Sequence, residues 1–166
     1  MNILVTGSSG LIGTAISSKL RQDGHTVFPL IRNQEKGPFY YIQKKNQMHL
    51  DKSIPLDAVI NLAGSNISQR RWNQKTKLNI LESRTKTTRA LCTALSELPK
   101  KPQTLLSASA IGFYGTHPTE TFSEFSSAGE DFLSGVAVEW EKETTPAEKV
   151  GIRTCHLRFG LVLSPE

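Results

Sequence analysis

Three glycines, Gly7, Gly10 and Gly13, stand at three-residue spacing directly after an apolar run and directly before a helical pattern. Residues without side chains at that spacing suit main-chain contact with a diphosphate. The first permits a tight turn, the second lets the backbone approach the phosphates, and the third lets the helix pack against the strand. The helix start adds unpaired N–H groups and the positive end of its dipole. A second candidate is Arg32. About twenty residues past such glycines, a NAD-specific site carries an acidic residue on the ribose. Here that place holds Ile31, Arg32 and Asn33. A guanidinium fork there can accept the extra phosphate of NADP, with a solvent-facing loop arginine as the alternative. A third candidate is Asn61-Leu62-Ala63-Gly64, whose small residues suit the ribose and phosphate face of a nucleotide.

Other chemistries find no support. His25, His49, His117 and His156 share no metal-ligand spacing, so no metal site is expected. Cys92 falls in a helical pattern and Cys155 in a strand pattern, as small core residues do. Glu120 and Glu124 read as a solvated pair. There is no Gly-x-Ser-x-Gly elbow and no Gly-Lys-Ser/Thr phosphate loop.

The elements that must position these residues alternate. Ile3, Leu4 and Val5 read as a buried parallel strand, and Leu11, Ile12, Ala15, Ile16 and Leu20 as the helix after the glycines. Asp23-Gly24-His25 ends that helix. Residues 26–31 form a second strand, with Pro29 marking an edge-like or irregular end. Residues 39–42 form a short strand or hairpin arm, and Met48-His49-Leu50 a third parallel strand. Asp51 at its end is either an adenine contact or a turn aspartate. Residues 57–62 and 103–109 are buried strands, and 152–157 is the last one. A long helix over 73–98 stops at Pro99, and a helix over 131–150 is kinked or shortened by Pro146. The loop over 112–124 is long enough to be functional. This order predicts an α/β fold, a doubly wound parallel sheet covered on both faces.

With 166 residues, 37% hydrophobic and 21% charged, the chain fits one soluble domain, residues 1–166, with a real core. No apolar run is long enough to span a membrane. The start lacks the basic stretch and cleavage site of a signal peptide, so a cytoplasmic protein is expected. The net charge of +5 is unevenly spread, basic from Arg32 to Lys101 and acidic from Glu120 to Glu148. The basic residues are scattered without interleaved aromatics, which argues against nucleic acid as a partner. A small-molecule substrate is expected, and a homodimer is compatible with the sequence.

Several motifs stand in one order: Thr6-Gly-Ser-Ser-Gly-Leu-Ile-Gly13, Asn61-Leu-Ala-Gly64, Arg70-Arg-Trp72, Ser83-Arg84 with Thr87-Thr88, Ser107-Ala-Ser-Ala-Ile-Gly-Phe-Tyr-Gly115, Trp140-Glu141 and Leu157-Arg-Phe-Gly-Leu-Val-Leu-Ser-Pro165. In this the chain resembles the NAD(P)-dependent epimerase/dehydratase family of extended, atypical short-chain dehydrogenases/reductases. The likeness is closest to the branch described as nucleotide-sugar epimerases or NADP oxidoreductases.

The resemblance implies a Rossmann fold and NADP as cofactor. Gly7, Ser9, Gly10, Leu11, Ile12 and Gly13 would hold the pyrophosphate and Arg32 the 2′-phosphate. Leu62, Ala63 and Gly64 would line the ribose, Arg84 would face the cofactor, and Val162 would pack near the nicotinamide. Asn79 stands where that branch often has Glu. Ser109 would donate a hydrogen bond to the reacting oxygen. Phe132 and Val136 occupy the places of the family's Tyr-x-x-x-Lys pair, which leaves Tyr114 as the candidate acid/base, with a loop aromatic packed on the sheet edge as its alternative reading. Relatives continue for a comparable length after Ser164-Pro165, so the substrate-closing C-terminal domain is expected to be absent, and with it water exclusion and substrate positioning. Two functions follow: hydride transfer on a carbonyl or sugar hydroxyl, or an inactive NADP-binding regulator, for example of the cell-division type.

Overall fold

Ile3, Leu4 and Val5 are all buried, as a strand covered on both faces requires. A computed structural model describes residues 1–67, 72–117 and 119–164 of the chain. Its elements are β1 (Asn2–Thr6), α1 (Leu11–Gln22), β2 (Thr26–Pro29), β3 (Ile31–Arg32), β4 (Phe39–Ile42), β5 (Gln47–Leu50), β6 (Ala58–Asn61), α2 (Gln74–Ser96), β7 (Thr104–Ala110), α3 (Phe132–Lys142), α4 (Thr145–Glu148) and β8 (Arg153–Phe159). Five strands form one parallel sheet in the order β2-β1-β6-β7-β8.

Side chains alternate across this sheet. Ile3, Val5, Val27 and Ile60 form one apolar cluster with Ile16 and Leu20 of α1. Leu4, Val59 and Leu105 point the other way, into a larger cluster with Leu91, Cys92 and Leu95 of α2 and Ala147 of α4. The doubly wound arrangement follows from that alternation. Burial pushes the Cys92 thiol up to about 12, which suits an inert core residue.

Two expectations need correction. The second strand is shorter than 26–31, because the chain leaves the main sheet after Pro29, and Ile31 and Arg32 pair with β4 in a separate three-stranded sheet. Pro29 lacks the N–H for a ladder bond, and β2 is indeed the sheet edge, with the Leu30 amide bonding the Val5 carbonyl at 3.0 Å. Met48-His49-Leu50 is not a third parallel strand. Residues 47–50 run antiparallel to β4. Only a short 3-10 turn (Gln43–Lys45) and Asn46, at φ 47°, separate the two strands, far too little chain for a crossover. The helix expected over 131–150 is split into α3 and α4, with Pro146 in the first turn of α4, where its missing N–H costs nothing.

A buried polar web ties the carboxyl ends of the strands together. Asn61 is fully buried. Its Oδ1 accepts from Thr6 Oγ1 at 2.7 Å, and its Nδ2 donates to Thr88 Oγ1 at 2.9 Å and Ser107 Oγ at 3.2 Å. Trp140 Nε1 donates to the same Thr88 hydroxyl at 2.9 Å, which joins α3 to α2. Asn61→Ala leaves three buried hydroxyls short of a partner. The expected cost is about 2–4 kcal/mol, read as a lower urea midpoint at unchanged slope.

Candidate functional site

The order of the sheet strands reverses between β1 and β6, and ligands of such sheets bind outside the carboxyl ends at that point. Gly7 follows β1 there with φ 65°, a region that side chains rarely enter. A Cβ on Gly7 would stand 2.6 Å from the Leu62 carbonyl oxygen, and one on Gly13 would stand 2.1 Å from the Gly7 carbonyl oxygen. The turn, the start of α1 and the segment after β6 thus meet through bare backbone. Gly10 is the N-cap of α1, where no side chain caps the helix and no acidic residue lies in the first turn. That end of α1 keeps its affinity for an anion. Thr6 Oγ1 fixes the opposite wall by accepting from the Leu62 and Ala63 amides at 3.0 and 3.1 Å.

From this turn a trench extends both ways. One lobe, of about 430 Å³, is lined by Gly7, Ser9, Gly10, Arg32, Leu62, Ala63 and Gly64, with Tyr41 from β4 and Gln43 from the turn after it. Arg32 has no ion-pair partner among the described residues. The other lobe, of about 650 Å³, shares Gly7, Gly10, Leu62 and Gly64 and adds Leu11, Ile12, Gly13, Arg84, Ser109 and Val162. Every residue proposed from the sequence for the cofactor, and Ser109, therefore borders one trench. Asp51 does not. Its Oδ1 accepts from the Ser53 amide and hydroxyl at 2.9 and 2.7 Å, a turn aspartate. It borders a separate hollow beside the end of α2.

Arg84 reaches back from α2 to the loop after β6. Nη1 donates to the Ile80 carbonyl and Nη2 to the Ser65 carbonyl, both at 3.0 Å. Its guanidinium lies against Gly64, where a Cβ would come within 3.2 Å of Cζ, and over the Trp140 ring at 5.1 Å. Burial lowers its pKa.

At the far end of the larger lobe the two expected catalytic side chains part company. Ser109 borders the trench and is buried, and its hydroxyl donates to Glu141 Oε1 at 2.6 Å. The expected role of Ser109 as donor to a substrate oxygen meets a competitor, since its single proton is already engaged. Tyr114 does not border this trench. Its hydroxyl accepts from Arg158 Nη1 at 2.8 Å, its ring stacks on Phe122 at 5.0 Å, and it lines another depression with Glu124, His156 and Arg158. The chain between Ser109 and Tyr114 is the short 3-10 turn over Ile111–Tyr114 that follows β7.

Sequence reasoning attached no role to Glu141 and Arg158. Arg158 Nε and Nη2 each donate to Glu141 at 2.9 Å, and the guanidinium lies 3.5 Å over the Phe113 ring. His156 Nδ1 is 3.9 Å from Glu141 Oε2. Burial pushes the Glu141 carboxyl up, but hydrogen bonds from Arg158 and Ser109 and the neighbouring charges of His156 and Arg158 outweigh it, and the net shift is downward. The signal was present as Trp140-Glu141 and Arg158-Phe159. Nothing in their spacing said that α3 and β8 face each other. Phe132, at the family's tyrosine position, meets Trp72 edge-on at 5.9 Å with Lys77 Nζ 5.0 Å above its ring. Val136, at the lysine position, lines the trench. Arg70 and Arg71 lie outside the described residues.

Comparison with known proteins adds independent findings. The model of the NAD dependent epimerase/dehydratase family matches residues 3–166. The epimerase family protein YfhF of Bacillus subtilis is 41% identical over 169 residues, covering 98% of this chain and 55% of its own length. Human epimerase family protein SDR39U1 (isoform 2), solved with NADPH, superposes with a TM-score of 0.83 at 30% identity, covering 100% of this chain and 56% of that one. The nucleoside-diphosphate sugar epimerase of Corynebacterium glutamicum gives a TM-score of 0.77 at 32% identity, over 99% of this chain and 34% of that one. The chain thus spans about half the length of the curated relatives it matches. Among the described residues no helix is long and apolar enough to cross a membrane, and no group of His, Cys, Asp and Glu could hold a metal ion.

Proposed function

The chain belongs to the NAD-dependent epimerase/dehydratase family, and on that premise we propose that it binds NADP(H) in the trench and serves hydride transfer on a carbonyl or sugar hydroxyl. One observation carries the reading: a turn with no room for a Cβ at Gly7 or Gly13 sits midway along a trench with Arg32, which has no ion-pair partner among the described residues, at one end and Ser109 at the other. The diphosphate would lie on Gly7, Ser9 and Gly10 and the first amides of α1, at Leu11, Ile12 and Gly13. Arg32 would take the 2′-phosphate. Leu62, Ala63 and Gly64 would border the ribose, with Arg84 behind them, and Val162 would flank the nicotinamide. Bound there, the nucleotide would supply the hydride chemistry. The NADPH in the human SDR39U1 structure supports the phosphorylated form.

Titration by nicotinamide fluorescence tests this. NADPH is expected to bind at least tenfold tighter than NADH, and Arg32→Ala to remove most of that margin. The loss corresponds to about 1.4 kcal/mol or more, within reach of one charge-assisted phosphate contact. Equal affinities in the unaltered protein, or an Arg32→Ala protein that keeps the margin, would count against the assignment.

A second reading has its own support. Phe132 and Val136 cannot exchange protons, which favours an NADP(H)-binding regulator without turnover. Assays of the full chain with carbonyl and nucleotide-sugar substrates separate the two. Turnover that Ser109→Ala abolishes rejects the regulator, and nucleotide binding without any turnover favours it.

A further inference from the structure

We propose that the Ser109 end of the trench is built to receive a hydroxyl group rather than a carbonyl, so that the ligand taken there is an alcohol on an apolar body. The argument starts from the hydrogen-bond inventory of one serine. A hydroxyl has one proton and two lone pairs. Ser109 spends its proton on Glu141 at 2.6 Å, a charge-assisted bond. Arg158 grips the same carboxylate with Nε and Nη2, and His156 stands 3.9 Å from its other oxygen. Three groups on two strands thus favour an ionised Glu141, and an ionised carboxylate only accepts. With its proton engaged, what Ser109 has left for a ligand is its lone pairs.

A carbonyl oxygen brought to Ser109 would compete with Glu141 for that proton. A hydroxyl would donate to Ser109 and leave the Glu141 bond intact. The remaining polar side chains on this lobe do not change the balance. Trp140 donates its N–H to Thr88, and Arg84 lies against Gly64 with its Nη groups on the Ile80 and Ser65 carbonyls. Around Ser109 the lobe is bordered by Ile111, Leu133, Val136, Ala137, Phe159 and Val162. The side chains of such a wall give no hydrogen bonds to the several hydroxyls of a bare sugar ring, and buried hydroxyls without partners are disfavoured. It suits a ligand with one polar handle.

This inference rests on the proposed function only in treating the Ser109 end of this lobe as the substrate's. The test is a matched pair, 1-phenylethanol and acetophenone, which share a shape and differ in the handle. Their affinities for the full chain are read by ligand-observed NMR, with and without saturating NADP+. The alcohol is expected to bind about tenfold tighter. Ser109→Ala should bring the ratio to about one by weakening the alcohol alone. Glu141→Gln, which keeps the shape but no longer holds the serine proton on an anion, should lower the ratio too. A ketone that binds as tightly as the alcohol, or a preference that survives Ser109→Ala, overturns the proposal. So does failure of both probes in a protein that binds NADP+, and the nucleotide reading then still stands. Failure to bind NADP+ with the alcohol preference intact removes the nucleotide reading and keeps this one.

Discussion

Gly13→Ala is expected to abolish NADPH binding and to destabilise the protein by about 3 kcal/mol or more. The added Cβ would lie 2.1 Å from the Gly7 carbonyl oxygen and 2.8 Å from Ser8 Cα. Both are backbone atoms, so no rotamer change relieves the overlap. Either α1 lifts from the turn or the turn opens. Lifting α1 pulls Ile16 and Leu20 from their cluster with Ile3, Val5, Val27 and Ile60. Overpacking of this kind costs about 1–3 kcal/mol even where side chains can yield, and backbone yields less. Opening the turn moves the first amides of α1 away from a diphosphate, and small misplacements at such sites cost orders of magnitude. Gly135→Ala in α3 is the control, because its Cβ meets nothing within 4 Å. It should stabilise by about 0.5–1 kcal/mol through helix propensity. Urea midpoints and nicotinamide fluorescence read both. A Gly13→Ala protein that binds NADPH as the unaltered one does would remove the turn from the site.

The same contact explains what the sequence revealed. The glycine spacing states a backbone constraint, and backbone constraints are local, so the turn, its helix and the trench floor were legible in thirteen residues. The central strands β1 and β6 were legible because strands covered on both faces must be apolar. Met48-His49-Leu50 misled because a short apolar strand looks alike in a parallel sheet and in a hairpin. Only the αL turn at Asn46 decides, and asparagine hints at it weakly. Tyr114 is close to Ser109 along the chain, yet after the 3-10 turn its hydroxyl meets Arg158 and it borders a different depression, which chain distance alone does not decide. Glu141 and Arg158 were invisible as a pair. Their meeting depends on the register of β7 against β8, where Ser109 sits opposite Arg158, and on how α3 packs, and neither is written in local spacing.

Arg158→Ala is expected to cost about 3–5 kcal/mol at pH 7, because it strands a carboxylate whose side chain is only 11% exposed. It also removes the guanidinium from the Phe113 face and from the Tyr114 hydroxyl. The pH dependence separates the charge from the packing. In the unaltered protein Glu141 is held below the ordinary carboxylate range, so the folded state binds its proton less readily than the unfolded chain. Its contribution is then complete above the unfolded value, near ~4.3, and is lost as pH falls through the lower folded value. Without Arg158, burial has the larger say and pushes the carboxyl up. The folded variant takes the proton more readily than the unfolded chain, and acid relieves part of its penalty. The stability gap between the two proteins should therefore be widest near pH 7 and narrow toward pH 4, measured by urea unfolding at both values. A gap that stays constant would assign the cost to lost packing on Phe113 and Tyr114, and would leave Glu141 without the ionised state on which its hold over Ser109 depends.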